Sequence, residues 1–253
     1  MTLYLFQSTL ADFLRPRRLL VWTVLAVVLF VMGRTIVSLN PSSKPDAIYL
    51  LMSNIILYRI QMLAAAIFAL QVIGAEVEQK TIVYLLTRPM PRPQILLART
   101  LAAIVAVAFI SLLSLLAVAA ACGGASWQQV PIDAAALVAG AFAYTAFFTL
   151  ISLFIHKAMT ICLMFAFGWE TGIPNLPGNM FWVSINSYLT GITQAAKRDA
   201  TNSAISAFAG GRSAAEITPL IGWAAMVGFT LFCLILGGYW FNNNEYVARE
   251  DAE

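Results

Sequence analysis

Apolar residues in this chain fall in long blocks rather than in the alternating or three-to-four spacing of an element with one wet face. The blocks Leu19 to Leu39, Ala47 to Ile73, Ile95 to Ala121, Asp133 to Ile155, Ala158 to Ile173 and Ile217 to Phe241 carry almost no charge. A hydrocarbon core about 30 Å thick needs roughly 20 helical residues to cross it. Only a helix satisfies its own backbone within one segment there. The pattern predicts an all-α polytopic membrane helix bundle of about six transmembrane helices, forming one transmembrane domain over 1–253. Arg59 interrupts the second block, and the fifth is short and carries Glu170.

Three stretches between the blocks have patterns of their own. Residues 1–18 place Leu3, Phe6, Leu10, Phe13 and Leu14 at helical spacing before Arg15, Arg17 and Arg18, which suits a helix in the inner interface. No small-x-small cleavage site follows the first block, so it is expected to be a retained helix and not a signal peptide. In 74–94, Glu76 to Thr87 can form a helix, which Arg88-Pro89-Met90-Pro91-Arg92-Pro93 cannot continue. Proline removes the amide donor and pushes its predecessor out of the α region, whereas Pro93 suits the first turn of the next span. A rigid bend between two helices results. In 174–216, Phe181, Trp182, Ile185, Tyr188, Leu189 and Ile192 share one helical face opposite Ser184, Asn186, Ser187, Thr190 and Thr193, which predicts an interfacial helix.

Composition supports the membrane reading. Charged residues are 11% of the chain, against about 25% for a domain whose surface meets water. The net charge of +3 is too small to suggest nucleic acid, but its distribution is informative. With the N-terminus inside, the inner side holds Arg15, Arg17, Arg18, Lys80, Arg88, Arg92, Arg99, Lys157 and Arg249, and the outer side Arg34, Lys44, Lys197, Arg198 and Arg212. Nine against five favours both termini in the cytoplasm.

The sequence excludes more chemistry than it offers. There is one histidine, His156, so a bis-histidine haem within the chain is impossible. Asp12, Asp46, Asp133, Asp199 and Asp251 stand at span ends or in loops, away from any intramembrane aspartyl pair. Cys122, Cys162 and Cys233 have no zinc spacing and read as small apolar residues. No GxxxxGK[ST] loop is present, so ATP is not expected to bind in the Walker manner. Neither a catalytic group nor a metal site is expected. Arg59 and Glu170 are the two charges at membrane depth; since such charges are costly, they are read as lining a transport path, pairing with each other, or reaching an interface.

One segment is more specific. The run from Gly74 to Arg92 resembles the signature of type-2 ABC-transporter permeases: Glu76, then Lys80-Thr81, Leu85-Leu86, Pro89 and Arg92, ahead of a third span. Trp169-Glu170 followed by Asn175-Leu176-Pro177-Gly178 is similar to a segment after the fifth span in some of these permeases, and Leu14 to Arg18 and Phe241 to Tyr246 also fit. Arg59 is not part of that pattern. The resemblance covers essentially the whole chain. It implies a permease subunit of an ATP-driven transporter, an exporter in a bacterial plasma (inner) membrane. It also implies two separate ATP-binding subunits that carry the ATP and Mg, a second permease copy as a homodimer, and surrounding lipid. Glu76, Glu78, Lys80, Thr81, Arg88, Pro89 and Arg92 would then be the ATPase-coupling residues. Two other readings remain: a subunit that transmits force to a periplasmic or lipid-anchored partner through 174–216, and an ion-coupled secondary transporter, which would want paired halves and mid-membrane acids.

Overall fold

The computed structural model describes residues 2–39, 45–53, 57–78, 91–123, 129–155, 158–172, 179–193 and 217–243. Every regular element among them is helical. In chain order these are α1 (Thr2–Phe13), α2 (Pro16–Leu39), α3 (Pro45–Met52), α4 (Tyr58–Glu78), α5 (Arg92–Cys122), α6 (Gln129–Phe154), α7 (Ala158–Met164), α8 (Ile185–Thr193) and α9 (Pro219–Asn243). A π-helical turn, Phe165–Trp169, and one more turn, Glu170–Gly172, extend α7, and a 3₁₀ turn, Asn179–Val183, precedes α8.

Four helices, α2, α5, α6 and α9, are long and apolar enough to cross a membrane. The other two expected crossings are shorter. The block from Ala47 to Ile73 is divided between α3 and α4, and the fifth is α7 with its extension. The expected 95–121, 133–155 and 217–241 blocks become α5, α6 and α9 with ends shifted by a few residues. Pro93 lies in the first turn of α5, after an extended Pro91 (φ −62°, ψ 133°), where its missing N–H leaves no bond unmade. Gly123 ends α5 in the left-handed conformation (φ 63°), a region a side chain would resist.

Helices α5 and α6 form the centre. The first packs against α1, α2, α3, α4, α6 and α9, and the second against α4, α7, α8 and α9. Small residues let the backbones approach: Ala102, Ala103 and Ala106 on α5 and Ala136, Ala141 and Ala143 on α6 are fully buried. At the far end of α5, a Cβ on Gly33 of α2 would fall 2.7 Å from the Cβ of Ala121. The outer helices are different. The most apolar window of α2 is 22% buried and that of α9 28%, against 67% in α6. Apolar surface that extensive is unfavourable in water, so lipid or further protein must cover it. The N-terminal helix sits beside the start of α5, with Leu5 against Ile95 and Ala98 and the Phe13 ring edge-on to Phe68 at 5.4 Å.

The amphipathic helix predicted in 174–216 is α8, and its place differs from the expectation. It packs between α6 and α9 instead of lying on the surface, burying Ile185, Leu189 and Ile192 together with Ser187 and Thr193. Glycines make the room. A Cβ at Gly140 would come within 3.0 Å of Leu189, and one at Gly222 within 2.7 Å of Ile192 and 3.1 Å of the Tyr188 carbonyl. A Gly222→Leu variant is therefore expected to force α8 off α9 at an overpacking cost of about 1–3 kcal/mol. It should lower the thermal midpoint of the detergent-purified protein and speed amide exchange in 185–193. Gly228, further along α9, meets nothing within 4 Å, so Gly228→Leu should melt no lower than wild type. Equal midpoints for Gly222→Leu and wild type would contradict this packing.

Candidate functional site

Two places in the bundle combine buried polar groups with residues singled out by sequence. The first is where α7 breaks. In the π-helical turn the Glu170 amide bonds back to the Phe165 carbonyl, five residues earlier. That extra residue rotates the next part of the chain relative to a regular helix and turns the Glu170 side chain toward the start of α8. The carboxylate, 1% exposed, accepts from the Ser184 hydroxyl at 2.7 Å, the Ile185 amide at 3.0 Å and the Asn186 amide at 3.0 Å. Ser184 caps the same helix through its Oγ, which receives the Ser187 amide at 3.3 Å. A helix start leaves its first amides unpaired. Here three successive ones are taken up, two by a negative charge on the favourable end of the helix dipole. The buried Tyr144 hydroxyl of α6 lies near this carboxylate without completing a well-formed hydrogen bond to it.

Glu170 is thus engaged by the helix it caps, and Arg59 is not among its partners. Arg59 stands half-buried at the start of α4.

A second buried polar cluster joins α3, α6 and α8. Asp133, 2% exposed, accepts from the Tyr49 hydroxyl at 2.6 Å and from Gln129 Nε2 at 2.9 Å; the same amide reaches the Thr193 carbonyl at 3.3 Å. Sequence reasoning placed Asp133 at a span end and gave it no role. The signal was present in Gln129 and Asp133, four residues apart and so on one helical face, at the start of an apolar block. One step deeper, Gln61 of α4 donates to the Leu137 carbonyl beside Gly140.

The segment 74–94 is described only at its two ends. Glu76 and Glu78 fall in the last turn of α4, and Arg92 is the half-buried first residue of α5. Lys80, Thr81, Arg88 and Pro89 lie outside the described residues. The helices flanking the segment are tied together just inside it. Arg99 of α5 donates to the Val72 carbonyl of α4 at 2.8 Å, and Arg18 of α2 donates to Gln71. Neither arginine was singled out for this role by sequence. Among the described residues no group of three or more His, Cys, Asp or Glu side chains could hold a metal ion.

A scan of the sequence against protein-family models finds no match, and a search of curated proteins finds none either.

The cap at α8 is expected to carry measurable stability. Glu170→Ala should release the Ile185 and Asn186 amides at a cost of about 1–2 kcal/mol, raising exchange of the 184–193 peptide roughly tenfold. Glu170→Gln, which keeps an acceptor oxygen but no charge, should fall between. Wild-type protection in both variants would show that this carboxylate does not hold the helix.

Proposed function

We propose that the chain is the membrane-spanning permease subunit of an ATP-driven type-2 ABC transporter, an exporter of a bacterial plasma membrane. It works as a pair of copies above two separate ATP-binding subunits, which supply ATP and Mg. The observation that carries this reading is the framing of segment 74–94. Residues Glu76 to Arg92 hold the signature resemblance. The helices entering and leaving it, α4 and α5, are tied by Arg99 on the Val72 carbonyl, and Arg18 holds α2 to the same turn of α4. Two prolines, Pro91 and Pro93, fix the start of α5. A push on such a segment moves the central helix α5 together with α4, because the two are tied just inside it. In this reading ATP-driven closure of the partner pair displaces the segment and switches the bundle from inward- to outward-open. Glu76, Glu78, Lys80, Thr81, Arg88, Pro89 and Arg92 contact or orient the partner.

The six-crossing reading takes α3 with α4 as the second span and α7 with its extension as the fifth, leaving both termini in the cytoplasm. Single cysteines are suited to test it, since Cys122, Cys162 and Cys233 are all buried. Ser8→Cys and Asn243→Cys should react with a membrane-impermeant maleimide only after the membrane is opened. Thr218→Cys should react in intact cells. Labelling of Ser8→Cys from outside would reverse the orientation.

Coupling has its own test. Tagged chain purified from its native membrane should bring down an ATP-binding subunit. Glu76→Ala and Arg92→Ala should reduce either that recovery or the stimulated ATP hydrolysis severalfold. If assembly and hydrolysis are unchanged in both variants, the segment does not couple.

A further inference from the structure

Next to the capped start of α8 lies a cavity of about 590 Å³, within the size range of small-ligand sites. Its walls are Phe147 of α6, Phe165 and Trp169 of the π-helical turn, Trp182 of the 3₁₀ turn, and Phe229 and Phe232 of α9. These rings brace one another. Phe147 stands 4.8 Å from Phe165 and 5.6 Å from Phe229 between ring centres, and Phe165 is 6.3 Å from Trp169. Contacts of this kind favour defined offset or edge geometries and keep a cavity open.

Three of the polar groups that border the cavity are already bonded. The Ser184 hydroxyl and the Ile185 amide are bonded to Glu170, and the Tyr188 hydroxyl donates to the Trp182 carbonyl at 2.9 Å. Apart from indole N–H groups the rest of the wall is apolar, so a sugar, a peptide or an ion would find little here to replace its water. The side chains of Trp169, Trp182, Val183 and Phe232 in the cavity wall are exposed. The wall residues of α9 run from Ala225 to Phe232, on a helix long and apolar enough to cross a membrane. At 1.5 Å per residue they lie about 9 to 20 Å from the start of α9, so where α9 crosses a bilayer the deeper part of the cavity sits beside hydrocarbon.

We propose that this cavity binds an acyl chain of a bilayer phospholipid, which enters sideways from the membrane and seats between α9 and the break in α7. Shape and apolar contact select the chain, and the headgroup is left outside. The proposal rests on α9 crossing a membrane and not on the ABC reading, so either can fail alone.

The glycine in the cavity wall supplies the test. Gly228 lines the cavity and a Cβ there meets nothing within 4 Å, so a larger side chain can be introduced at this point of the wall without a clash at its first atom. The purified chain is placed in nanodiscs of phosphatidylcholine that carries a diazirine midway along one acyl chain, illuminated, and its adducts are mapped by mass spectrometry. Adducts should concentrate on Phe165 to Trp169, Trp182 to Ile185 and Ala225 to Phe232, severalfold above those on the exposed face of α2 at Val24, Val27 and Val31. Gly228→Leu should remove that excess while the thermal midpoint holds. Ala225→Leu, a second filling variant, should do the same, and Gly228→Ala should leave labelling in place. Labelling no stronger than on α2, or an excess that survives both leucine variants, means ordinary contact with surrounding lipid and overturns the proposal. A disulfide between two copies through Trp169→Cys, with no adducts at the cavity, means that a second copy covers the mouth and overturns it equally.

Discussion

Hydrocarbon offers no hydrogen bond, and most of what is irregular in this bundle answers that one constraint. A helix that starts inside the bundle leaves amides that water would normally take. The start of α8 is such a place, and the chain supplies the missing partners itself, Glu170 from across a break and Ser184 from the adjoining residue. The π-helical turn is the backbone adjustment that brings the carboxylate round. The same rule explains four of the small hydroxyl residues on the long helices. Thr100, Ser111, Ser114 and Thr230 each return their proton to the carbonyl four residues back, so they cost little at depth. Asp133 can be buried because Tyr49 and Gln129 both donate to it.

Close approach decides the packing. Alanines along the α5–α6 contact and glycines at 33, 140, 191 and 222 bring backbones together where lipid gives no hydrophobic drive between helices. The result is uneven. Helices α5 and α6 are enclosed, whereas α2 and α9 expose most of their surface. A displacement delivered to α5 is therefore passed to nearly every other element, because α5 touches six of them. That is the physical basis for reading the proline-framed segment before it as a drive point.

How much was legible in the sequence depends on how local each determinant is. The blocks that became α2, α5, α6 and α9 were readable because 18 or more apolar residues admit few other meanings. Pro93 was readable because a proline in a first turn needs no neighbour to explain it. The position of α8 was not. A stripe formed by Trp182, Ile185, Tyr188, Leu189 and Ile192 has the same period whether it faces a lipid surface or a protein groove. What decides between them is remote: Gly140 and Gly222 on other helices, and Glu170 fourteen residues before Ser184. The capping bonds of Glu170 were hidden for the same reason. As a lone charge in a short span it suggested a path, a partner such as Arg59 or an interface, and the partners it has here, a hydroxyl and backbone amides, carry no sequence signature. Asp133 was set aside as an end-of-span residue, although burial makes it the centre of a polar cluster.

The central claim is that this bundle is driven from the cytoplasmic side through the residues between α4 and α5. Hydrogen exchange of the membrane-reconstituted chain, with and without a nucleotide-loaded ATP-binding subunit, measures that contact directly. The account predicts new protection confined to the peptides over 74–94 and the first turns of α5, with altered exchange propagating along α5. Protection at the outer ends of the helices alone, or none anywhere, would contradict it.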